Sequence, residues 1–216
     1  MNSMNLKTIP YSAYEKALPQ TGQHILAQQT LDTIFVYQAF NPRISSYAVA
    51  HQQFGGEHYS FNRMTWIKPN FLWMMYRCGW AKKENQKRVL AIELLKTDFD
   101  KILGEAVHSS FKPEVYKSRE DWQAAINASN VRLQWDPDHH PYGTKLERRA
   151  IQLGMRGEIQ RKFAMEWVLS IEDITDFVLE QGKSVETKQL DRLQVMEEGI
   201  YTPSSIETQQ HLQLAS

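Results

Sequence analysis

The chain has one cysteine among its 216 residues, Cys78. An internal disulfide is therefore excluded, as is a cysteine-rich zinc site. No apolar run approaches the roughly 18 residues of a membrane-spanning helix. The most apolar window, Phe71 to Tyr76, is far shorter. Met1 to Pro10 carries no long apolar stretch of the secretory kind. A soluble cytoplasmic protein with no membrane partner is the expectation. Net charge is lacking too, with 25 basic against 25 acidic residues and a pI near 7.1, which excludes a strongly cationic nucleic-acid tail. No G-x-G-x-x-G fingerprint, P-loop, H-E-x-x-H or G-x-S-x-G occurs. A Rossmann cofactor site, a Walker ATPase, a zinc protease and a serine hydrolase lose their usual signatures.

What is present is a globular composition, 42% hydrophobic and 23% charged, with six Trp to fill a core. Charge is segregated along the chain. Phe61 to Leu90 holds seven cations (Arg63, Lys68, Arg77, Lys82, Lys83, Lys87, Arg88) against the single acid Glu84. Lys145 to Lys162 is also basic, whereas Glu166 to Glu198 is acidic. This pattern suggests a basic surface with an acidic flank, or solvated faces that balance.

Residues 1–30 are polar and Gln-rich and read as a loosely ordered arm. A single globular domain is expected over 31–200, with a flexible Ser/Thr/Gln-rich tail over 201–216. Thr33 to Phe40 (TIFVYQAF) reads as a strand from its β-branched and aromatic content. It runs into Asn41-Pro42, an N-cap followed by the residue best suited to the first helical position. A helix over Pro42 to Gln53 should stop at Gly55-Gly56. Tyr59 to Ile67 reads as a strand, Lys68-Pro69 opens a helix through Arg77, and Arg88 to Leu95 is another strand. Asp98 to Val107 reads as a helix, as does a short stretch around Trp122 to Ala128 capped by Ser118 and Asp121. Val131 to Trp135 reads as a short strand, and Asp136 to Gly143 as a loop. Leu146 to Met155 leans to strand. Glu158 to Val168 is a helix or the second arm of a hairpin. Ser170 and Asp173 resemble a capping box for a helix to Gln181, and Ser184 to Glu198 reads as a further helix. Strands and helices do not alternate regularly. The expected class is α+β: one compact domain with a mixed or antiparallel sheet flanked by helices.

Four regions carry candidate chemistry. In Tyr37 to Arg43, the strand-to-helix turn offers free backbone N–H groups to an anion, with Gln38 on the strand and Arg43 and Tyr47 on the helix. In Arg63 to Asn70, Arg63 and Lys68 suit phosphate, Thr65 supplies a hydroxyl and Trp66 can stack a ring. In Glu147 to Gln152, strand alternation turns Glu147, Arg149 and Ile151 one way and Arg148, Ala150 and Gln152 the other. A carboxylate between arginines stays ionised and could stabilise a cationic transition state. The competing reading is a surface ion-pair cluster. The fourth region, His139-His140 beside Asp136 and Asp138, lacks a convincing ligand spacing, and no metal is expected. Cys78 reads as a small core filler.

The strings VYQAFNPRISSYAVAHQQFGG, RMTWIKPNFLWMMYRCGWA and LERRAIQLGMRG resemble the family catalogued as domain of unknown function 4291, over roughly Thr33 to Val178. That resemblance implies no agreed activity. A weaker resemblance is to ADP-ribosyltransferase-like folds, which bind NAD in a cleft between two small sheets. It implies roles for Gln38 or Arg43, for Thr65 or Trp66, and for Glu147 as the late acid. The chain departs from that pattern in having no S-T-S triplet and no E-x-E pair.

The leading expectation is an enzyme binding a nucleotide-like, phosphate-bearing small molecule, with NAD as the candidate cofactor. Glu147 and Thr65 are the catalytic candidates. Gln38, Arg43, Tyr47, Arg63, Trp66, Lys68, Arg148 and Arg149 are the ligand- or phosphate-binding ones. The alternatives are a non-catalytic nucleic-acid-binding module and a protein-interaction adaptor. All three readings turn on whether Arg43, Arg63, Lys68 and Glu147 line one cleft.

Overall fold

A computed structural model describes residues 6–215. In chain order its elements are β1 (Thr8–Pro10), α1 (Tyr11–Ala17), β2 (Ile25–Ala27), β3 (Thr33–Phe40), α2 (Pro42–His51), β4 (Thr65–Ile67), α3 (Phe71–Cys78), β5 (Arg88–Leu95), α4 (Lys96–Gly104), β6 (Ala106–His108) and α5 (Arg119–Ala128). They continue with β7 (Val131–His139), β8 (Lys145–Met155), α6 (Gly157–Lys162, extended by a π-helical turn over Phe163–Trp167), β9 (Val168–Asp173), α7 (Thr175–Glu186), β10 (Gln194–Met196), β11 (Gly199–Tyr201) and α8 (Ile206–His211). The class is α+β, in one compact domain.

Two sheets form the body. One has the order β3-β5-β9 and is antiparallel throughout. The other has the order β4-β8-β7-β6 and is mixed, because β6 runs parallel to β7. β3 is buried on both faces, as its unbroken TIFVY run suggests. Ile34 and Val36 join the core that Ile92, Leu133, Ile151 and Leu153 also fill. Phe35 and Tyr37 point the other way, into a second core with Phe71, Met75, Cys78 and Val178. Beside the core they share, the sheets are bridged by backbone at Tyr37 and Lys68. Tyr37 N–H donates to the Lys68 carbonyl at 2.7 Å, and Lys68 N–H donates to the Tyr37 carbonyl at 3.1 Å.

The helix ends follow local chemistry. Asn41 caps α2 by accepting from Arg43 N–H and Ile44 N–H at 3.0 and 3.1 Å. Asn70, two residues beyond the Lys68-Pro69 start read from sequence, caps α3 by accepting from Trp73 N–H at 2.6 Å. Gly79 closes α3 at φ 58, the left-handed conformation that glycine adopts without a Cβ penalty. Ser118 accepts from Asp121 N–H at 3.0 Å, as a capping box requires.

Several expectations are corrected. Residues 6–30 are not a loose arm: β1 pairs with β10, β2 pairs with β11, and Tyr11, Tyr14, Leu18, Ile25 and Leu26 are buried. Spaced among glutamines, these apolar residues do not stand out in composition. Residues 1–5 of that arm lie outside the described residues. The tail is not frayed through its length either. Ser205 caps α8, and Leu212 beyond it is fully buried. Asp136 to His139 is the end of β7 rather than a loop, because β8 supplies cross-strand partners up to a bulge near Pro137. Ser170 and Asp173 lie on β9, so no capping box forms there. Asp173 instead accepts from Thr175 N–H at 2.9 Å, at the start of α7. Ser184 to Glu198 is not one helix: α7 ends at Glu186, and β10 follows to pair with β1. No helix of the described residues is long and apolar enough to cross a membrane.

Candidate functional site

A cleft of about 430 Å³ opens where the two sheets meet, within the usual range for small-molecule sites. Its wall is built from the end of β3 (Gln38, Ala39, Phe40), from β4 and its flanks (Met64, Thr65, Trp66, Lys68), from α3 (Met74, Arg77), from Gln86, and from the β7–β8 hairpin (Gln134, Gln152). None of these lining residues is acidic.

Lys68 is the defining group. Its backbone is tied to β3 by the two hydrogen bonds at the seam, which fixes where the side chain starts. The side chain is buried, at 6% exposure, and among the described residues its amine reaches only the Trp66 carbonyl, at 3.4 Å. None of the ion pairs found among the described residues involves it. Burial lowers its pKa from 10.5 to about 7; the Arg77 charge pushes the same way, and Asp136 opposes weakly. A buried ammonium without a carboxylate partner is unstable. An anion arriving in the cleft would supply that partner.

The polar wall is orderly. Gln38 Nε2 donates to Thr65 Oγ1 at 2.7 Å and to the Trp66 carbonyl at 3.0 Å, so the orientation of its amide is set. Its Oε1 has no partner. Across the cleft, Gln152 Nε2 donates to Gln134 Oε1 at 3.1 Å and to Asp136 Oδ2 at 2.7 Å. Gln134 and Gln152 are cross-strand partners, so their side chains share a face of the hairpin. Trp66 lies opposite Gly154 in the β4–β8 register. A Cβ at residue 154 would come within 2.8 Å of the indole and 2.5 Å of Met64 Sδ. Glycine there lets the indole lie close against β8, half-exposed at the cleft wall.

The cleft gathers Gln38, Thr65, Trp66 and Lys68 from among the sequence candidates. The others fall elsewhere. Arg43 is exposed on α2. Tyr47 stacks on His51 at 4.0 Å and packs against Gly56, away from the cleft. Arg63 is exposed and lines a neighbouring cavity. Glu147 and Arg149 are exposed on β8, on the face opposite Gln152. Arg148 is buried and paired with Asp138 at 2.7 Å, and it also donates to the Pro19 carbonyl at 2.8 Å. Its charge is already satisfied. The expected convergence of Arg43, Arg63, Lys68 and Glu147 therefore does not occur. On β8 Glu147 and Arg149 are exposed and Arg148 is turned inward to Asp138, and α2 leads away from the seam.

His139 and His140 differ in setting. His139 is buried and stacked on Tyr76 at 3.5 Å and beside Trp73 at 5.3 Å, and burial lowers its pKa. Sequence reasoning also missed Arg77, Gln86 and Gln134. The alternation assigned to Glu147–Gln152 had placed Arg148, Ala150 and Gln152 on one face; all three are buried, and Ile151 and Leu153 on the other face join the core past the exposed start of the strand. A polar residue on the buried side of a strand was the available signal for Gln152.

With this geometry in hand, membership is clear: the chain belongs to the family described as a domain of unknown function (DUF4291), whose family model matches residues 24–201. The match extends beyond the three strings read from sequence and includes the whole lining of the cleft. No curated protein matches the chain.

Proposed function

We propose that the cleft between the sheets binds a nucleotide-like anion. Its phosphate would lie against Lys68 and Arg77, its ring along Trp66, and its polar edge against the amides of Gln38 and Gln152. The observation that carries this reading is the Lys68 amine: buried, unpaired by any carboxylate among the described residues, and set in a cleft lining with no acid. A phosphate supplies the missing countercharge, and charge-assisted hydrogen bonds to it are about twice as strong as neutral ones. The amides and the indole suit a heterocycle, which offers donors, acceptors and a flat face together.

The transfer chemistry weighed from sequence loses its acid, since Glu147 is exposed near the start of β8 and does not line the cleft. The groups left in the cleft for chemistry are the Lys68 amine and the Thr65 hydroxyl. Transfer from NAD would need its stabilising charge from outside this set.

Calorimetric titration at low salt with AMP, ATP and NAD tests the reading. Binding by at least one, lost in Lys68→Met, is the expected result. Because the free amine carries its proton only below about pH 7, affinity should fall about tenfold per pH unit above that value. Absence of heat with all three, or affinity unchanged in Lys68→Met, would remove the reading. A nucleic-acid surface would instead show a steep loss of RNA or DNA binding with salt, indifferent to Lys68.

A further inference from the structure

The cleft has a neighbour on the other side of Thr65. A second cavity of about 430 Å³ adjoins it, and the two share Phe40, Met64 and Thr65 as a common wall. No acidic residue lines the second cavity either, and Arg63 stands exposed at its rim beside Asn85. Its most telling residue is Gln160, on α6, which is completely buried. Gln160 Nε2 donates to the Tyr59 hydroxyl at 3.3 Å and to the Ser60 carbonyl at 3.2 Å. Those two bonds fix the amide, and its Oε1 is left without a partner.

Gln38 in the first cavity has the same arrangement, with its nitrogen committed and its oxygen free. Buried carbonyl oxygens nearly always accept a hydrogen bond. Gln28 Oε1 is unpartnered too but lines neither cavity; the oxygens of Gln38 and Gln160, one on the wall of each of two neighbouring cavities, mark positions for donors carried by something else.

We propose that the ligand is bipartite: a nucleotide joined through its phosphates to a second polar unit bearing hydroxyl or amide N–H donors. This deepens the nucleotide reading above and rests on it. The nucleotide occupies the Lys68 cavity. The second unit passes the Thr65 wall and fills the Gln160 cavity, with Arg63 and Asn85 closing over it. The diphosphate bridge then lies against Lys68 and Arg77, which line the first cavity, and Arg63 faces only the second unit.

Calorimetry with ADP and with ADP-ribose separates the two claims. ADP-ribose should bind at least tenfold tighter than ADP. Arg63→Gln and Asn85→Gly should bring ADP-ribose down to the affinity of ADP and leave ADP itself unchanged. Both positions are exposed, and Asn85 sits at φ 59, which glycine accepts without strain, so folding is not at stake in either variant. Equal affinity for the two ligands, or equal weakening of both by these variants, overturns the bipartite proposal while leaving the nucleotide reading in place. No binding of either ligand overturns both.

Discussion

Replacing Lys68 by methionine should make the protein more stable, by an amount that depends on pH. Methionine has similar length and no charge, and the two seam hydrogen bonds of residue 68 come from the backbone, so the fold loses only the long amine hydrogen bond to the Trp66 carbonyl at 3.4 Å. It gains relief from a buried amine. Each tenfold change in a protonation equilibrium is worth about 1.4 kcal/mol. The lowering of the Lys68 pKa from 10.5 to about 7 therefore corresponds to about 5 kcal/mol of native-state penalty at pH 6. Between the two values the unfolded chain holds a proton that the native chain has released, so the penalty shrinks as pH rises. It is about 3 kcal/mol at pH 8 and about 1 kcal/mol at pH 9.5. Urea unfolding of both proteins between pH 6 and 9.5 measures the difference directly, and other titrating groups cancel in it. A methionine variant that is less stable at pH 6, or a difference that does not change with pH, would refute the reasoning. The gain in stability should come with lost ligand affinity, the usual relation for a residue kept under strain for binding.

Three other perturbations test separate parts of the structure. Glu198 is buried, accepts from Tyr14 Oη and Asn70 Nδ2 at 2.8 and 2.9 Å and also from Phe71 N–H, and burial pushes its pKa from 4.5 to about 8. The native state thus keeps a proton that the unfolded state loses, so this group's contribution to stability falls from about pH 4.5 to about pH 8, and Glu198→Gln should flatten that part of the denaturation profile. Arg148→Met leaves Asp138 charged and fully buried without its partner; it should cost about 3–5 kcal/mol in the same assay, whereas a loss below 1 kcal/mol would mean that water reaches Asp138. Arg43→Ala and Glu147→Gln should leave nucleotide affinity unchanged, because both side chains lie outside the cleft, and a tenfold loss in either would place them in the site after all.

The strands and caps that position the cleft were legible because their signals are local. TIFVYQAF is β-branched and aromatic through its length, and Asn41-Pro42 carries the cap and the first helical residue side by side. The site was legible in part, for a reason tied to how its members are held. Lys68 stood out as a cation in a turn, and Gln38 and Trp66 stood out as polar or aromatic residues beside it. Arg43, Arg63 and Glu147 stood out equally, because charge alone does not reveal whether a side chain is turned in or out. What separates Lys68 from them is a non-local event, the backbone pairing of residue 68 with Tyr37 across a gap of 31 positions. That pairing draws the amine beneath the seam, while Arg63, only five residues earlier, stays at the rim. Gln134, Gln152 and Gln160 were harder still, since glutamine is ordinary on a surface and tells only when buried. Gln38 and Gln160 are buried with their own side-chain carbonyl oxygens unpartnered, a state set by tertiary packing that no local pattern in the sequence announces.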